Sequence, residues 1–259
     1  MNATPIRALV SGASSGIGLA FSRSLAEHCS EIIVTGRDQA RLEALVAELS
    51  ARGLHASLIA ADLGTTLGRA QLVETIRQRG PLRYLVNCAG FGTLGPFASQ
   101  HPDSQEGMVR LHIDATLALS RAALAGMREA GGGYLVNVSS LAAFAPMAGL
   151  AVYAATKSFL NTYSMALQQE VREQNIKVQC LCPGYTRTQF HRSDDFQGFD
   201  AAQVPDAYWM DADDVARESL AALHSSDARV LVIPGEINRQ WARQSLERQL
   251  AELTTPDAT

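Results

Sequence analysis

The sequence lacks any apolar run of the roughly 18 to 20 residues that a membrane-spanning helix needs. Its first residues, MNATPIRALV, also lack the basic segment, apolar segment and cleavage site of a signal peptide, so we expect a cytoplasmic protein. The sequence also lacks a large excess of either positive or negative charge, because its net charge is only -4. We therefore expect neither nucleic acid nor an anionic membrane as a partner.

Cysteine is scarce, and its spacing excludes the common metal and redox motifs. The cysteines form no C-x-x-C pair and no Cys/His ligand pattern, so no metal site is predicted and reduced thiols are expected. They are Cys29, Cys88, Cys180 and Cys182. A chain of 259 residues is long enough to bury a core without disulfides or metal.

Short runs rich in Val, Ile and Leu recur along the chain and are separated by helical patterns. These runs predict seven strands, at residues 6–12, 31–36, 55–62, 83–90, 133–140, 177–184 and 229–235. They are nearly continuous rather than alternating, which is typical of strands covered by helices on both faces. We therefore predict an α/β fold with a doubly wound, seven-stranded parallel sheet, formed by residues 1–259 as a single domain.

Residues 189–210 interrupt this alternation of strands and helices. They lack periodicity but are rich in aromatic side chains, namely Phe190, Phe196, Phe199, Tyr208 and Trp209. A long irregular insertion in a compact domain is typical of a substrate lid. The alternative is a surface loop that is packed by its own aromatic residues.

Residues 238–253 predict a C-terminal helix with apolar side chains to bury. These are Trp241, Leu246, Leu250 and Leu253. They could pack on the same subunit, on a partner or on a membrane surface.

The stretch SGASSGIG, residues 11–18, leads from the first strand into a helix. Gly12 can adopt backbone angles closed to other residues, and Gly16 and Gly18 allow close approach of a pyrophosphate. The helix start then offers N–H groups and a positive dipole end to phosphate. This pattern predicts a dinucleotide site, although such a turn can also serve structure alone.

The end of the second strand indicates which dinucleotide is bound. An acidic residue there would bond the ribose hydroxyl of NAD, but the chain has Gly36 followed by Arg37. A guanidinium binds phosphate through two hydrogen bonds, so we expect NADP(H) rather than NAD(H). Asp38 is expected to cap the next helix. Alternatively, Arg37 is a solvated arginine at a helix start.

Five motifs occur in an order that resembles the short-chain dehydrogenase/reductase family over residues 6–236. They are SGASSGIG, NCAG at 87–90, the serine pair 139–140, Tyr153-x-x-x-Lys157 and PGYTRT at 183–188. The resemblance implies a Rossmann fold, and hydride transfer between a nicotinamide cofactor and a carbonyl or alcohol substrate. It also implies a homodimer or homotetramer that assembles through the fourth and fifth helices.

Tyr153 and Lys157 are four residues apart and therefore share a helix face. A phenol has a pKa of about 10, and both a nearby ammonium and the positive ring of an oxidised nicotinamide favour the phenolate. We therefore expect these two charges to lower the pKa of Tyr153 toward about 7. The resemblance implies that Tyr153 is the general acid/base and that Lys157 also binds the nicotinamide ribose. It assigns the substrate oxygen to Ser140, with Ser139 as the competing candidate.

The resemblance also implies a set of cofactor contacts in the loops that follow the strands. These residues are Gly12, Ser14, Ser15, Gly16, Ile17, Gly18, Arg37, Asp62, Leu63, Asn87, Ala89, Gly90, Tyr153, Lys157, Pro183, Gly184, Thr186 and Thr188.

His112 departs from the family pattern, which usually has asparagine at this position. In the family, the main chain there holds a water that links the lysine to solvent as a proton relay. Histidine could keep that relay working, which makes His112 a further catalytic candidate. The alternative is a histidine packed at a helix bend.

These features predict an NADPH-dependent oxidoreductase that reduces a ketone or aldehyde to an alcohol, or catalyses the reverse. The substrate is expected to be hydrophobic because apolar residues flank the motifs, namely Phe91, Leu94, Phe97, Phe144, Met147, Leu150 and the segment from Tyr185 to Trp209. The alternatives are an NADP(H)-binding regulatory or scaffold protein without turnover, and an epimerase or dehydratase on the same fold.

Overall fold

The protein is described by a computed structural model that covers residues 5–192, 196 and 198–254. Its main sheet is fully parallel and has the strand order β3-β2-β1-β4-β5-β6-β9. The strands are β1 (Arg7–Ser11), β2 (Glu31–Gly36), β3 (His55–Ala60), β4 (Tyr84–Asn87), β5 (Gly133–Val138), β6 (Ile176–Leu181) and β9 (Leu231–Val232). The prediction of a seven-stranded doubly wound sheet is confirmed.

The burial of β1 explains why its sequence is a continuous apolar run. Ala8 and Val10 contribute to the core on one face of the sheet, whereas Leu9 contributes to the core on the other. Both faces are covered, so every position of the strand is buried. β1 pairs with both β2 and β4, which places the switch in winding direction between β1 and β4.

Helices cover both faces of the sheet. One layer contains α1 (Gly16–Leu25), α2 (Gln39–Ala51) and α7 (Ala212–His224), and the other contains α3 (Thr66–Arg79), α5 (Ala115–Glu129) and α6 (Ala151–Val171). Asp38 accepts a hydrogen bond from the Arg41 N–H at 3.1 Å, so the predicted cap of α2 is confirmed.

The helical segment that contains His112 is divided in the structure. Helix α4 (Pro102–Val109) is followed by a π-helical turn at Arg110–Asp114, and α5 continues from there. Single π turns of this kind occur frequently at functional sites. The hydrophobic pattern alone did not reveal the turn, because one wider turn leaves most apolar positions on the same face.

The insertion at 189–210 is attached to the fold by a second, two-stranded sheet that the sequence did not predict. β7 (Thr186–Arg187) pairs in parallel with β8 (Met210–Asp211). Short turns at Phe190–Arg192, Ala201–Gln203 and Asp206–Tyr208 lie between these strands. Residues 193–195 and 197 of the expected lid lie outside the described residues.

The C-terminal helix α8 (Glu236–Thr254) extends slightly beyond the range 238–253 expected from sequence. Its apolar side chains differ in burial: Trp241 is half-buried, whereas Leu246, Leu250 and Leu253 are exposed. Among the described residues, no helix combines the length and apolar character needed to cross a membrane.

Candidate active site

The glycine-rich turn between β1 and α1 depends on backbone conformations that favour glycine. Gly12 and Gly16 have φ values of 68° and 53°. A Cβ atom on Gly12 would lie 2.8 Å from the Cα of Ala89, and one on Gly18 would overlap the carbonyl oxygen of Gly12. These close approaches leave a cradle at the start of α1 whose N–H groups and positive dipole end suit a phosphate.

Ser11 connects this turn to the loop after β4, a role that sequence analysis missed. Its Oγ accepts hydrogen bonds from the N–H groups of Cys88 and Ala89, at 3.0 and 3.1 Å, and its hydroxyl donates to the Val86 carbonyl. Ser11 therefore fixes the crevice between β1 and β4. Its position directly before Gly12, at the end of the strand, was the available signal.

A cavity of about 410 Å³ opens at the carboxyl ends of these strands. It brings together most residues that the sequence analysis assigned to the cofactor or to catalysis. Those on its wall are Gly12, Ser14, Ser15, Gly16, Ile17, Gly18, Arg37, Asp62, Leu63, Ala89, Gly90, Ser140, Tyr153, Lys157, Pro183, Gly184, Thr186 and Thr188. Its wall includes the glycine turn and an apolar end, and this arrangement suits a dinucleotide with a second ligand beside it.

Asn87 and His112 do not belong to this wall. The Asn87 side chain is buried and donates to Asn137 Oδ1 at 2.9 Å and to Ser120 Oγ at 3.2 Å. Asn137 in turn donates to Ser164 on α6. The side chain of Asn87 therefore braces the strand ends from behind the cavity wall, and the assignment of Asn87 to the cofactor stays a prediction.

The end of β2 carries an exposed guanidinium. Arg37 is exposed and lies on the cavity wall, and Gly36 contributes no side chain beside it. A Cβ atom on Gly36 would lie 3.4 Å from the Ser14 hydroxyl, so the strand end and the glycine turn are in contact. The carboxylate of Asp38 is engaged at the helix cap. The Arg37 guanidinium is therefore available to an anion at this end of the cavity, whose wall also carries the Asp62 carboxylate.

Ser140, Tyr153 and Lys157 meet near the middle of the cavity. The Ser140 side chain is hydrogen-bonded to Tyr153, and the Lys157 Nζ lies 5.6 Å from the centroid of the Tyr153 ring. Lys157 Nζ also donates to the Val138 carbonyl at 2.9 Å, which anchors the amine at the end of β5. Tyr153 and Lys157 are only 8% and 6% exposed. The amine therefore faces the phenol, as the helical spacing predicted.

Ser139 differs from Ser140 in its partner. The Ser139 hydroxyl donates to the Lys157 carbonyl at 2.9 Å and is buried against α6. Ser140 instead accepts from the Ala142 N–H at 3.1 Å and keeps its contact with the phenol. The geometry therefore favours Ser140 over Ser139 as the group beside a substrate oxygen.

The pKa values of the pair are shifted by burial rather than by their mutual interaction. Burial raises the pKa of Tyr153 to about 12, while the hydrogen bond with Ser140 acts in the opposite direction. Burial lowers the pKa of Lys157 to about 8. Without a cofactor the pKa of Tyr153 therefore lies above its ordinary value, because desolvation of the phenolate dominates. Tyr153 is consequently protonated at neutral pH. The lowering expected with a positive nicotinamide ring beside Lys157 stays a prediction.

His112 lies behind this group, in the π turn. Its Nδ1 is 2.8 Å from Thr156 Oγ1, and its Nε2 accepts from the Phe91 N–H at 3.3 Å. Both ring nitrogens are thus bonded to protein groups. This arrangement favours the packed histidine over an imidazole that holds a water.

The far end of the cavity is lined by apolar and aromatic side chains. Of the expected residues, Phe91, Leu94, Met147, Leu150, Tyr185, Phe190, Phe196 and Phe199 lie on the wall. Phe97 is instead 65% exposed, and Phe144 packs in the core against Leu141 and Leu160. Trp209 packs on Tyr185 from outside the cavity.

His191, which belongs to the expected segment from Tyr185 to Trp209, also lines this end, as does Trp241, which sequence analysis did not assign to it. His191 stacks on Phe199 with ring centroids 4.7 Å apart. Burial lowers the pKa of His191 to about 4, so its ring is neutral near neutral pH. Trp241 was missed because its place in the C-terminal helix indicated only that it should be buried.

Comparisons with known proteins agree with this geometry. Residues 7–197 match a family model described as short chain dehydrogenase. Dehydrogenase/reductase SDR family member 4 from Bos taurus is 33% identical over 190 residues, which cover 71% of this chain and 67% of that protein. The chain therefore belongs to the short-chain dehydrogenase/reductase family and is an oxidoreductase that acts on CH–OH or C=O groups.

Two solved structures extend the likeness over the whole chain. A short-chain dehydrogenase from Sphingobium yanoikuyae in complex with NADPH has a TM-score of 0.83 and 28% identity, and covers 98% of each chain. A bulky-bulky ketone specific alcohol dehydrogenase from Comamonas testosteroni has a TM-score of 0.79 and 27% identity, and covers 99% of this chain and 96% of the other. These likenesses support a nicotinamide cofactor.

Proposed function

We propose that the protein is an NADPH-dependent carbonyl reductase that converts a hydrophobic ketone or aldehyde to an alcohol, or catalyses the reverse reaction. One observation carries this proposal: Tyr153, bonded to Ser140 and faced by Lys157, stands where the glycine-lined and aromatic parts of one cavity meet. The glycine-lined part would hold a dinucleotide, and the aromatic part would hold a substrate within reach of Ser140 and Tyr153.

Each side chain has a distinct task in this proposal. A reduced nicotinamide, when bound, supplies the hydride. Ser140 bonds the carbonyl oxygen and holds it beside the phenol. Tyr153, protonated because burial raises its pKa to about 12, donates its proton to that oxygen as negative charge develops. The Lys157 ammonium then stabilises the phenolate left behind.

The substrate class is inferred from the aromatic end. Rings on the insertion cover this end of the cavity, and the polar groups that face a substrate are concentrated near Ser140 and Tyr153. Pockets of this composition suit apolar ligands with one oriented polar group. The likeness to a bulky-bulky ketone specific enzyme supports a substrate with large groups on the carbonyl carbon.

The preference for NADP(H) is inferred from the charge at the end of β2. Arg37 is exposed on the cavity wall next to Gly36, and its guanidinium can pair with a ribose 2'-phosphate. The likeness to an NADPH complex supports the same choice.

The experiment measures oxidation of NADPH and NADH against a panel of bulky ketones and small aldehydes, with Tyr153→Phe and Arg37→Gln beside the wild type. Tyr153→Phe should lower turnover by about 100-fold to 10,000-fold and keep NADPH affinity. Arg37→Gln should weaken NADPH binding about tenfold to 100-fold and leave NADH binding unchanged. Tight NADPH binding without oxidation by any carbonyl would instead favour a regulatory protein.

We also propose a homodimer or homotetramer that assembles through α4, α5 and α6. Val109 at the end of α4 and Met165 on α6 are exposed apolar side chains on these helices. Light scattering of the purified protein should give a mass of two or four chains, and a monomer would contradict this assembly.

A further inference from the structure

His112 is enclosed between three elements. It lies in the π turn at Arg110–Asp114 and is only 2% exposed. Its ring and the Tyr153 ring form a T-shaped contact, with centroids 5.9 Å apart. One nitrogen faces the loop after β4 and the other faces α6. The ring therefore bridges a loop of the cofactor site and the helix that carries Tyr153.

The hydrogen bonds of this bridge have only one consistent direction. The Phe91 N–H can only donate, so His112 Nε2 accepts at 3.3 Å, and the proton of a neutral imidazole must be on Nδ1. Nδ1–H then donates to Thr156 Oγ1 at 2.8 Å. The Thr156 hydroxyl donates in turn to the Tyr153 carbonyl oxygen at 2.8 Å. A directed chain runs from the loop after β4 to the backbone of the proposed acid.

The surroundings keep the imidazole neutral. Burial, together with the nearby Lys157 ammonium, holds the pKa of His112 well below its usual value. A Cβ atom on Gly90 would lie 2.9 Å from His112 Nε2 and 3.6 Å from Lys157 Nζ. The loop backbone, the ring and the amine are thus in close contact, and a glycine is needed where they meet.

We propose that His112 and Thr156 form a positioning pair that fixes the orientation of Tyr153 relative to Ser140. The inference rests on the proposed function of Tyr153. It explains the histidine at this position by its two side-chain bonds rather than by a bound water. The α6 backbone at Tyr153 is held through Thr156, and the loop at Phe91 is held by the same ring.

The test uses Thr156→Val, which keeps the shape but removes the hydroxyl, and Thr156→Ser, which keeps the hydroxyl. Thr156→Val should lower kcat for ketone reduction about tenfold, and Thr156→Ser should restore it to within about twofold of wild type. KM for NADPH should be unchanged in both. The solvent deuterium isotope effect on kcat should rise in Thr156→Val, since a misaligned phenol slows proton donation.

The matched control is Ser158→Ala, on the same helix. The Ser158 hydroxyl donates to the Ala143 carbonyl at 3.2 Å and takes no part in the chain to Tyr153. This variant should leave the isotope effect unchanged. A role confined to stability would lower the unfolding midpoint of Thr156→Val without changing its isotope effect, and this result would overturn the proposal.

A double-mutant cycle with His112→Asn provides the second test. Residues in one hydrogen-bond network show non-additive effects, so the double variant His112→Asn/Thr156→Val should be no slower than the slower single variant. Additive losses of kcat in the double variant, or equal losses of kcat in Thr156→Ser and Thr156→Val, would overturn the proposal of a positioning pair. Full turnover in Tyr153→Phe would instead overturn the proposed function, so the two failures are distinguishable.

Discussion

The two ends of the cavity differ in whether main-chain or side-chain atoms make the close contacts. At the dinucleotide end, main chain packs on main chain: a Cβ atom on Gly12 would lie 2.8 Å from the Cα of Ala89. At the substrate end, the main chain packs against side chains: a Cβ atom on Gly92 would lie 2.7 Å from a ring carbon of Phe196. A ring can move aside at little cost, whereas a strand end cannot. The dinucleotide end is therefore the rigid end and should accept one ligand class. The substrate end is the adaptable end and should accept several.

Replacing Gly18 should give the largest effect and test the rigid end. The added methyl group of Gly18→Ala would overlap the Gly12 carbonyl, and relief would require moving the turn that holds the phosphates. We expect NADPH affinity to fall by about 100-fold or more, as measured by fluorescence titration.

Gly53→Ala is the control for this prediction. Gly53 has a φ of 85° and open space at its Cβ position. The control should lose about 1–2 kcal/mol of stability and keep NADPH affinity. If Gly18→Ala bound NADPH with wild-type affinity, the dinucleotide end would not be rigid.

Replacing Gly92 should give a smaller effect and test the adaptable end. In Gly92→Ala the new methyl group would press on Phe196, Phe190 and the Tyr153 ring. We expect kcat/KM for a bulky ketone to fall about tenfold to 100-fold and that for a small aldehyde to fall less. NADPH affinity should not change. Equal losses for both substrates would show that the added methyl group disturbs Tyr153 rather than the space for the substrate.

The pH dependence should give the mildest effect and concerns the group between the two ends. Burial lowers the pKa of Lys157 to about 8, so its charge is lost as the pH rises above that value. At about pH 9 roughly a tenth of the Lys157 side chains keep their charge, so kcat/KM for reduction should fall there to about a tenth of its value near neutral pH. Tyr153 stays protonated over this range because its pKa is about 12.

Lys157→Arg provides the control, since a guanidinium keeps its charge. This variant should have a lower maximum but no decline on the alkaline side. A wild-type profile that stays flat to about pH 10 would show that turnover does not depend on the ammonium.

The sequence predicted features that follow from local spacing. The apolar runs located the strands, and the four-residue spacing placed Lys157 beside Tyr153. Features that depend on three-dimensional burial were not accessible in this way. The direction of the Asn87 side chain depends on Asn137, fifty positions further along the chain. The raised pKa of Tyr153 depends on desolvation that only the closed fold provides.

The insertion shows a further limit of pattern reading. Strands of two residues, such as β7 and β8, are too short to show an alternation of apolar and polar residues, so their pairing could not be predicted. Phe97 and Phe144 show the same limit, because their apolar character did not indicate whether they face solvent, core or cavity.

The pairing of β7 with β8 has a consequence for how such a protein can diversify. Thr186 lies opposite Met210, so the intervening segment leaves and rejoins the fold at neighbouring points. A segment of another length or composition could be grafted between these two points without disturbing the parallel sheet. Exchange of this one segment would therefore change the substrate range while the strands that hold the nucleotide site stay in place.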